Sequence, residues 1–335
     1  RRRLIHPHCA GFRAETGPEP RTVSTIAVPP YRRPPYRKAP HVDALIPPLL
    51  NGTALGALLL LAALGLTLTF GQMGVINMAH GEFIMAGAFV AYMTQLVIPS
   101  SDISIPVALP LAFVVAGLLG ILLEVSIIQW MYRRPLDTLL ATVGVSLILQ
   151  QIALQIFPAQ GVPVQSPGWL EGQVGVFGYA WPLRQVFTIA LAALCVAALA
   201  AWLKYTSFGR RIRATVQNRD LAETSGIATR SVDRITFFVG SGLAGVAGVA
   251  ASLIGGTNSQ MGAQYIIPAF LVVVAGGIGQ ITGTIIAALA IGIAMTFFAN
   301  WTSGSLAQVL AFVLVVVFLQ IRPQGLLTVR TRGLA

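Results

Sequence analysis

The chain has 335 residues, 55% of them hydrophobic and 10% charged, with a mean hydropathy of +0.76. An ordinary soluble domain carries roughly 25% charged residues, so this composition excludes a water-soluble globular protein and points to an integral membrane protein. The net charge of +11 does not indicate nucleic acid, because the basic residues fall between apolar runs instead of clustering within one domain.

Residues 1–43 hold nine positive charges and a Pro/Arg-rich string, P-P-Y-R-R-P-P-Y-R-K at 29–38, without any apolar period. They read as a disordered basic tail. The segment lacks the apolar core of a secretory signal; the pair His6 and His8 could bind a metal, but such a pair in a flexible tail more often has no role.

Apolar runs then follow at about 45–70, 81–98, 106–130, 138–157, 185–203, 235–254, 265–278, 281–299 and 304–321. No charged residue stands between Asp43 and Glu82, and none in the 87 residues between Arg234 and Arg322. A bilayer crossing needs about 20 apolar residues at helical rise, and lipid forbids unpaired backbone. The fold class is therefore an all-α polytopic membrane bundle of eight or nine segments. The 265–278 run is short and ends in Gly276-Gly277-Ile278-Gly279, which marks it as a broken or re-entrant piece.

Within the first apolar region, residues 71–83 read G-Q-M-G-V-I-N-M-A-H-G-E-F. Gly71, Gly74 and Gly81 are expected to break the helix there and expose polar groups to a path. Gln72, Asn77, His80 and Glu82 are the candidate path residues. A carboxylate in the bilayer costs about 2.5–3.5 kcal/mol on insertion scales and so needs pairing, protonation or water. On one continuous helix Asn77 and His80 share a face while Glu82 points elsewhere, so their convergence needs an irregular turn at Gly81. Structural roles for Glu82 in a first helical turn and for His80 on the broken backbone are equally open at this point. Glu124 and Asp137 sit near span ends and are assigned to Arg133, Arg134 or the interface.

The loops define sidedness. Residues 204–234 carry Lys204, Arg210, Arg211, Arg213, Arg219, Arg230 and Arg234 against Asp220, Glu223 and Asp233, so this loop lies on the cytoplasmic side. Arg133 and Arg134 share that side by parity, as does the tail at 328–335 with Arg330 and Arg332. The Pro, Gly and Trp-rich loop from Pro158 to Arg184 falls outside, where Trp169 and Trp181 sit at the interface. Nine crossings with a cytoplasmic C-terminus place the N-terminal end outside, whereas the positive charges of residues 1–43 favour inside. Both orientations stay open.

Signatures of catalysis are missing from the sequence. Gly240-Ser241-Gly242-Leu243-Ala244-Gly245 fits G-x-G-x-x-G but follows no strand, and reads as a helix-packing face. No G-x-x-x-x-G-K-[ST] occurs and the lysines are Lys38 and Lys204, so ATP energy has to come from a partner. Cys9 and Cys195 form no disulfide framework or zinc spacing. No metal, cofactor or catalytic residue is implied. Internal repetition is limited to Gln72-Met73-Gly74 and Gln260-Met261-Gly262.

The string I-N-M-A-H-G-E-F at 76–83 resembles the membrane permeases of branched-chain amino acid ABC importers, the LivH-like group. With Q-M-G-V before it and R-P-L-D-T-L-L-A-T-V-G-V-S-L-I-L-Q-Q at 134–151, the chain looks closer still to the urea-type (UrtB) permeases of that family. The resemblance spans about Leu45–Leu327, including S-G-L-A-G-V-A-G at 241–248 and R-P-Q-G-L-L at 322–327. It implies a permease domain over 44–327, in an importer of the bacterial inner membrane. Its partners are then a second permease subunit, two ATP-binding subunits and an external solute-binding protein. Asp220-Leu221-Ala222-x-x-x-Gly226 is similar to the E-A-A-x-x-x-G segment that such permeases present to the ATPase, so Arg210, Arg211, Asp220, Ala222, Glu223 and Gly226 are the expected coupling residues. Urea or a short amide is the expected solute, with a branched-chain amino acid as the alternative. A proton-coupled secondary transporter or channel using Glu82 and His80 is the reading from another class.

Overall fold

The computed structural model describes residues 45–327, apart from 133, 159–160 and 177. The expected disordered tail, the His6/His8 pair, Cys9, Arg133 and the 328–335 tail lie outside the described residues. Among the described residues nine helices are embedded in an apolar bundle. Seven are long and apolar enough to cross a bilayer: α1 (Ile46–Met73), α3 (Ser101–Ser126), α4 (Pro135–Ile156), α5 (Leu183–Tyr205), α8 (Thr229–Gly255), α10 (Ile281–Trp301) and α11 (Gly304–Ile321). The other two are α2 (His80–Val97), as long as α11 but more polar, and the shorter α9 (Met261–Gly276). The all-α polytopic fold read from the sequence is the fold observed. The outer loop adds one small hairpin, β1 (Gln173–Val176) paired antiparallel with β2 (Tyr179–Pro182).

The basic loop is shorter than the charge pattern suggested. α5 continues through Lys204 to Tyr205 and α8 already begins at Thr229, so Arg230, Asp233 and Arg234 ride on a membrane helix. The residues between fold into α6 (Ser207–Gln217) and α7 (Arg219–Thr224). Thr206 and Asn218 each cap the helix that follows by accepting a backbone N–H through the side-chain oxygen. Glu124 has a cationic partner in Arg234 at 3.5 Å, and Asp137 pairs with Arg134 at 3.7 Å.

Contacts at its two ends orient α1. Asn51 near its start donates to the Tyr179 hydroxyl of the hairpin at 3.3 Å, and Gln72 at its end donates to Asp233 at 2.9 Å on the basic face. α1 therefore runs from the face that carries the hairpin to the face that carries the basic residues.

The centre of the bundle contains a repeat that the sequence conceals. Each of the long helices α1 and α8 ends at a glycine in the left-handed region, Gly74 (φ 64°) and Gly256 (φ 74°). Each is followed by an Asx turn, Asn77 Oδ1 accepting from the Ala79 N–H and Asn258 Oδ1 from the Gln260 N–H, both at 3.0 Å. Then a short helix begins, with Gly81 or Gly262 as its second residue, and these two glycines touch each other. The third helices match as well: α3 packs along α8 as α10 packs along α1, and these are the two most extensive helix pairs. Because α1 descends where α8 ascends, the units α1–α3 and α8–α10 are inverted copies. The shared residues are the few that dictate backbone path, in a register different from the Gln-Met-Gly triplets, and the apolar filler between them is free to vary.

Backbone contact explains the glycine content of α8. A Cβ on Gly248 would lie 2.8 Å from the Ala88 nitrogen of α2, and one on Gly242 would lie 2.9 Å from the Phe113 carbonyl of α3. The G-x-G-x-x-G string is thus part of a packing face, as its position within an apolar run suggested.

Candidate translocation site

α1 stops where Gly74 reverses the chain, its N–H returning to the Phe70 carbonyl at 2.9 Å. Of the three glycines expected to break the helix, only Gly74 does so. Gly71 is still inside α1, against Gly279, and Gly81 is inside α2, against Gly262; both permit close approach and neither is a turn. The connection 74–79 climbs back into the bundle, because α2 starts with His80 beside Ala62, eleven residues before the end of α1. At helical rise that is about 16 Å in from the cytoplasmic end. α2 therefore begins at mid-depth, and α9 begins beside it.

Glu82 lies in the first turn of α2, and its carboxylate also faces the first turn of α9: a Cβ on Gly262 would meet Glu82 Oε2 at 2.7 Å. Two helix N-termini thus converge on one buried carboxylate and offset part of its desolvation. Glu82 Oε1 accepts from Ser146 Oγ at 2.7 Å and from Gln150 Nε2 at 3.5 Å, both on α4. Glu82 Oε2 has no protein partner. Ser146 and Gln150 are themselves only partly buried.

The other candidates serve the backbone. His80 is fully buried, its Nε2 3.1 Å from the Ala62 carbonyl, which requires Nε2 to carry the proton, and its ring meets Phe83 edge-on at 6.1 Å. Asn77 uses its oxygen for the Asx turn and leaves Nδ2 unpaired. Gln72 is well away from this group: its amide nitrogen is held by Asp233 and its oxygen by Thr236 at the cytoplasmic end. Asn77, His80 and Glu82 are thus close in sequence but not convergent: Asn77 serves its own turn, His80 faces Ala62 of α1 and Glu82 faces α4, while Gln72 is tied to α8.

Sequence reasoning found α4 as the 138–157 run but missed its polar face. Thr138, Thr142, Ser146 and Gln150 recur every four residues and form one polar stripe facing the re-entrant segment, where Thr142 Oγ1 also accepts the Met78 N–H at 3.1 Å. The i, i+4 spacing of hydroxyl and amide side chains in an otherwise apolar helix was the available signal. The opposite face, with Leu136, Leu140, Leu147, Ile148 and Ile152, is exposed and apolar.

On the basic face Arg210, Arg211, Asp220 and Glu223 are exposed and Ala222 is buried. Gly226 (φ 82°) closes α7, and the Ile227 N–H returns to the Ala222 carbonyl at 3.0 Å. Among the described residues no cluster of three or more metal-ligating side chains occurs.

A bundle with re-entrant helices, an inverted repeat and polar side chains gathered at mid-depth is a membrane permease. The family profile described as "Branched-chain amino acid transport system / permease component" matches residues 49–319, and the chain belongs to that family. Over 83% of its length it is 30% identical to the high-affinity branched-chain amino acid transport system permease protein LivH of Escherichia coli (strain K12), covering 93% of that protein. It is likewise 30% identical to BraD of Pseudomonas aeruginosa, the permease of a system of the same description, over 83% of this chain and 94% of that one. The probable branched-chain amino acid transport permease protein LivH of Methanocaldococcus jannaschii is 28% identical over 80% of this chain and 88% of its own. No solved structure matches the chain.

Proposed function

We propose that this chain is one permease subunit of an ATP-binding cassette importer of the bacterial inner membrane, pairing with a second permease and passing a branched-chain amino acid between the re-entrant 74–82 segment and the polar stripe of α4. Two ATP-binding subunits act on α6 and α7, and an external binding protein delivers the solute. The observation that carries the path is Glu82: a buried carboxylate at mid-depth with one oxygen unclaimed, reached across the half-buried Ser146 and Gln150. An intramembrane ionisable group facing an interior polar stripe marks a route for solute. A free carboxylate oxygen suits the ammonium group of an amino acid, and the names of the relatives support that class. The exposed apolar face of α4 is a natural seat for the second permease.

Urea or a short amide is the second reading. It rests on the Q-M-G-V-I-N-M-A-H-G-E-F string and on the N–H groups that urea offers to Glu82. The engagement of Gln72 by Asp233 and Thr236 removes one of the side chains first assigned to that path.

Uptake into vesicles containing the permease pair, its ATPases and its external binding protein tests both. ATP-dependent leucine accumulation supports the first reading, and urea accumulation supports the second. Transport that persists without the ATPases, driven by a pH gradient alone, refutes the importer and favours a proton-coupled carrier.

A further inference from the structure

α7 is fastened to the bundle through its first residue. The Arg219 guanidinium reaches Asp233 of α8 in a short charge-assisted contact, lies 3.4 Å from Thr229 Oγ1 and 3.7 Å from Glu223, and sits 5.1 Å from the centre of the Tyr132 ring. Asp233 is fully buried, and Arg219 is its salt-bridge partner among the described residues. The other oxygen of Asp233 accepts the Gln72 amide at 2.9 Å, and Gln72 in turn accepts from Thr236. Gln72 is the penultimate residue of α1, two positions before the Gly74 reversal that launches the re-entrant segment. Tyr132 carries a second arm, donating to Glu124 of α3 at 2.7 Å, where Arg234 also approaches.

We propose that Arg219 is a positioning residue for energy coupling: through Asp233 and Gln72 it links the α7 segment to the cytoplasmic end of α1, so that displacement of α7 moves the hinge at Gly74. The proposal rests on the importer reading given above, and assigns to Gln72 a coupling role in place of a path role. The physical requirement is a rigid chain of contacts with two arrangements. The rigidity comes from Asp233: its side chain is fully buried, so losing Arg219 would leave an uncompensated buried charge, and Arg219, Asp233 and Gln72 move as one unit. The room for movement comes from a cavity of about 730 Å3 beside them, lined by Gln72, Met73, Tyr132, Arg134, Arg219 and Asp220.

The test uses the full importer complex. Arg219→Ala alone strands a buried charge and threatens folding, so the informative variant is Arg219→Gln with Asp233→Asn, which removes both charges together. Hydrogen exchange reports on α7, and uptake per ATP hydrolysed reports on coupling. The expected result is exchange of the α7 amides faster by at least about tenfold and uptake per ATP lower by at least about tenfold, with ATP hydrolysis itself within about twofold of wild type. Arg219→Lys, which keeps the charge and loses the planar fork, is expected to fall between. Wild-type uptake per ATP in the double variant overturns the proposal, and so does unchanged α7 protection. Failure of the wild-type complex to transport with ATP refutes the importer reading instead, and the exchange measurement still decides whether Arg219 holds α7.

Discussion

Replacing Glu82 by Gln separates a solute-binding role from a structural one, because the two predict opposite balances of stability and transport. Gln keeps one acceptor oxygen in place for Ser146 Oγ, which is 2.7 Å away in the native chain, so the link between α2 and α4 survives. An interhelical hydrogen bond in a membrane protein averages about 0.6 kcal/mol, so little is at risk there. Neutralising the side chain removes a burial cost of about 2.5–3.5 kcal/mol, part of which the two helix N-termini already offset. Glu82→Gln is therefore expected to be as stable as the native chain or more so. Transport should move the other way. Oε2, which no protein group claims, becomes an NH2 that cannot accept an N–H from solute. Loss of a hydrogen bond to a charged group is worth about 1.5–3 kcal/mol, or roughly 10- to 150-fold in the KM for uptake. Thermal unfolding in detergent and initial uptake rates in vesicles measure the two quantities. A variant with native KM, or one that loses stability in step with uptake, would show that Glu82 only holds the helices together and sink the path assignment.

Gly248→Val places a Cβ against the α2 backbone at Ala88 and Ile84, where no side chain can swing aside. Overpacking there is expected to cost about 1–3 kcal/mol or more and to lower the unfolding temperature, while a valine at Gly144, which faces open space, should be tolerated. Gly74→Ala must hold an alanine at φ 64°, a loss of about 1–2 kcal/mol with greater protease sensitivity of 74–79. Tyr132, outside the spans, has its phenol pushed well above the ordinary range, first by burial and then by the Asp233 charge. Its raised folded-state value means that its contribution is intact below about pH 10 and fades as the pH rises beyond. Tyr132→Phe should flatten that alkaline arm of the stability curve. It should also cost about 1–3 kcal/mol at neutral pH by leaving Glu124 Oε1 without its donor.

Much of the bundle is legible in one dimension because lipid imposes a simple rule: every backbone group must be satisfied within the segment, so apolar runs of sufficient length become helices. The runs at 45–70 and 235–254 are recognisable in α1 and α8, and the short 265–278 run in α9. The polar interruption was also visible, since Asn77, His80 and Glu82 stand within apolar sequence. Partner choice was not. Glu124 pairs with Arg234, over a hundred residues away, and Gln72 with Asp233, because hydrogen bonds across a bundle depend on which helices become neighbours. The Ser146 and Gln150 contribution was hidden for the same reason: a polar stripe on α4 gains meaning only when the end of 74–82 is folded against it.

Composition and apolar run length by themselves determined that this chain is an all-α membrane protein with a basic loop between spans, because those properties depend on local backbone energetics and on charge. Tertiary structure decided where the chain reverses, which glycines turn and which merely touch, and that two inverted units meet at Gly81 and Gly262. It also brought one carboxylate to two helix N-termini at mid-depth. Those outcomes depend on the approach of segments far apart in sequence, for which a string of nearly interchangeable apolar residues carries no local mark.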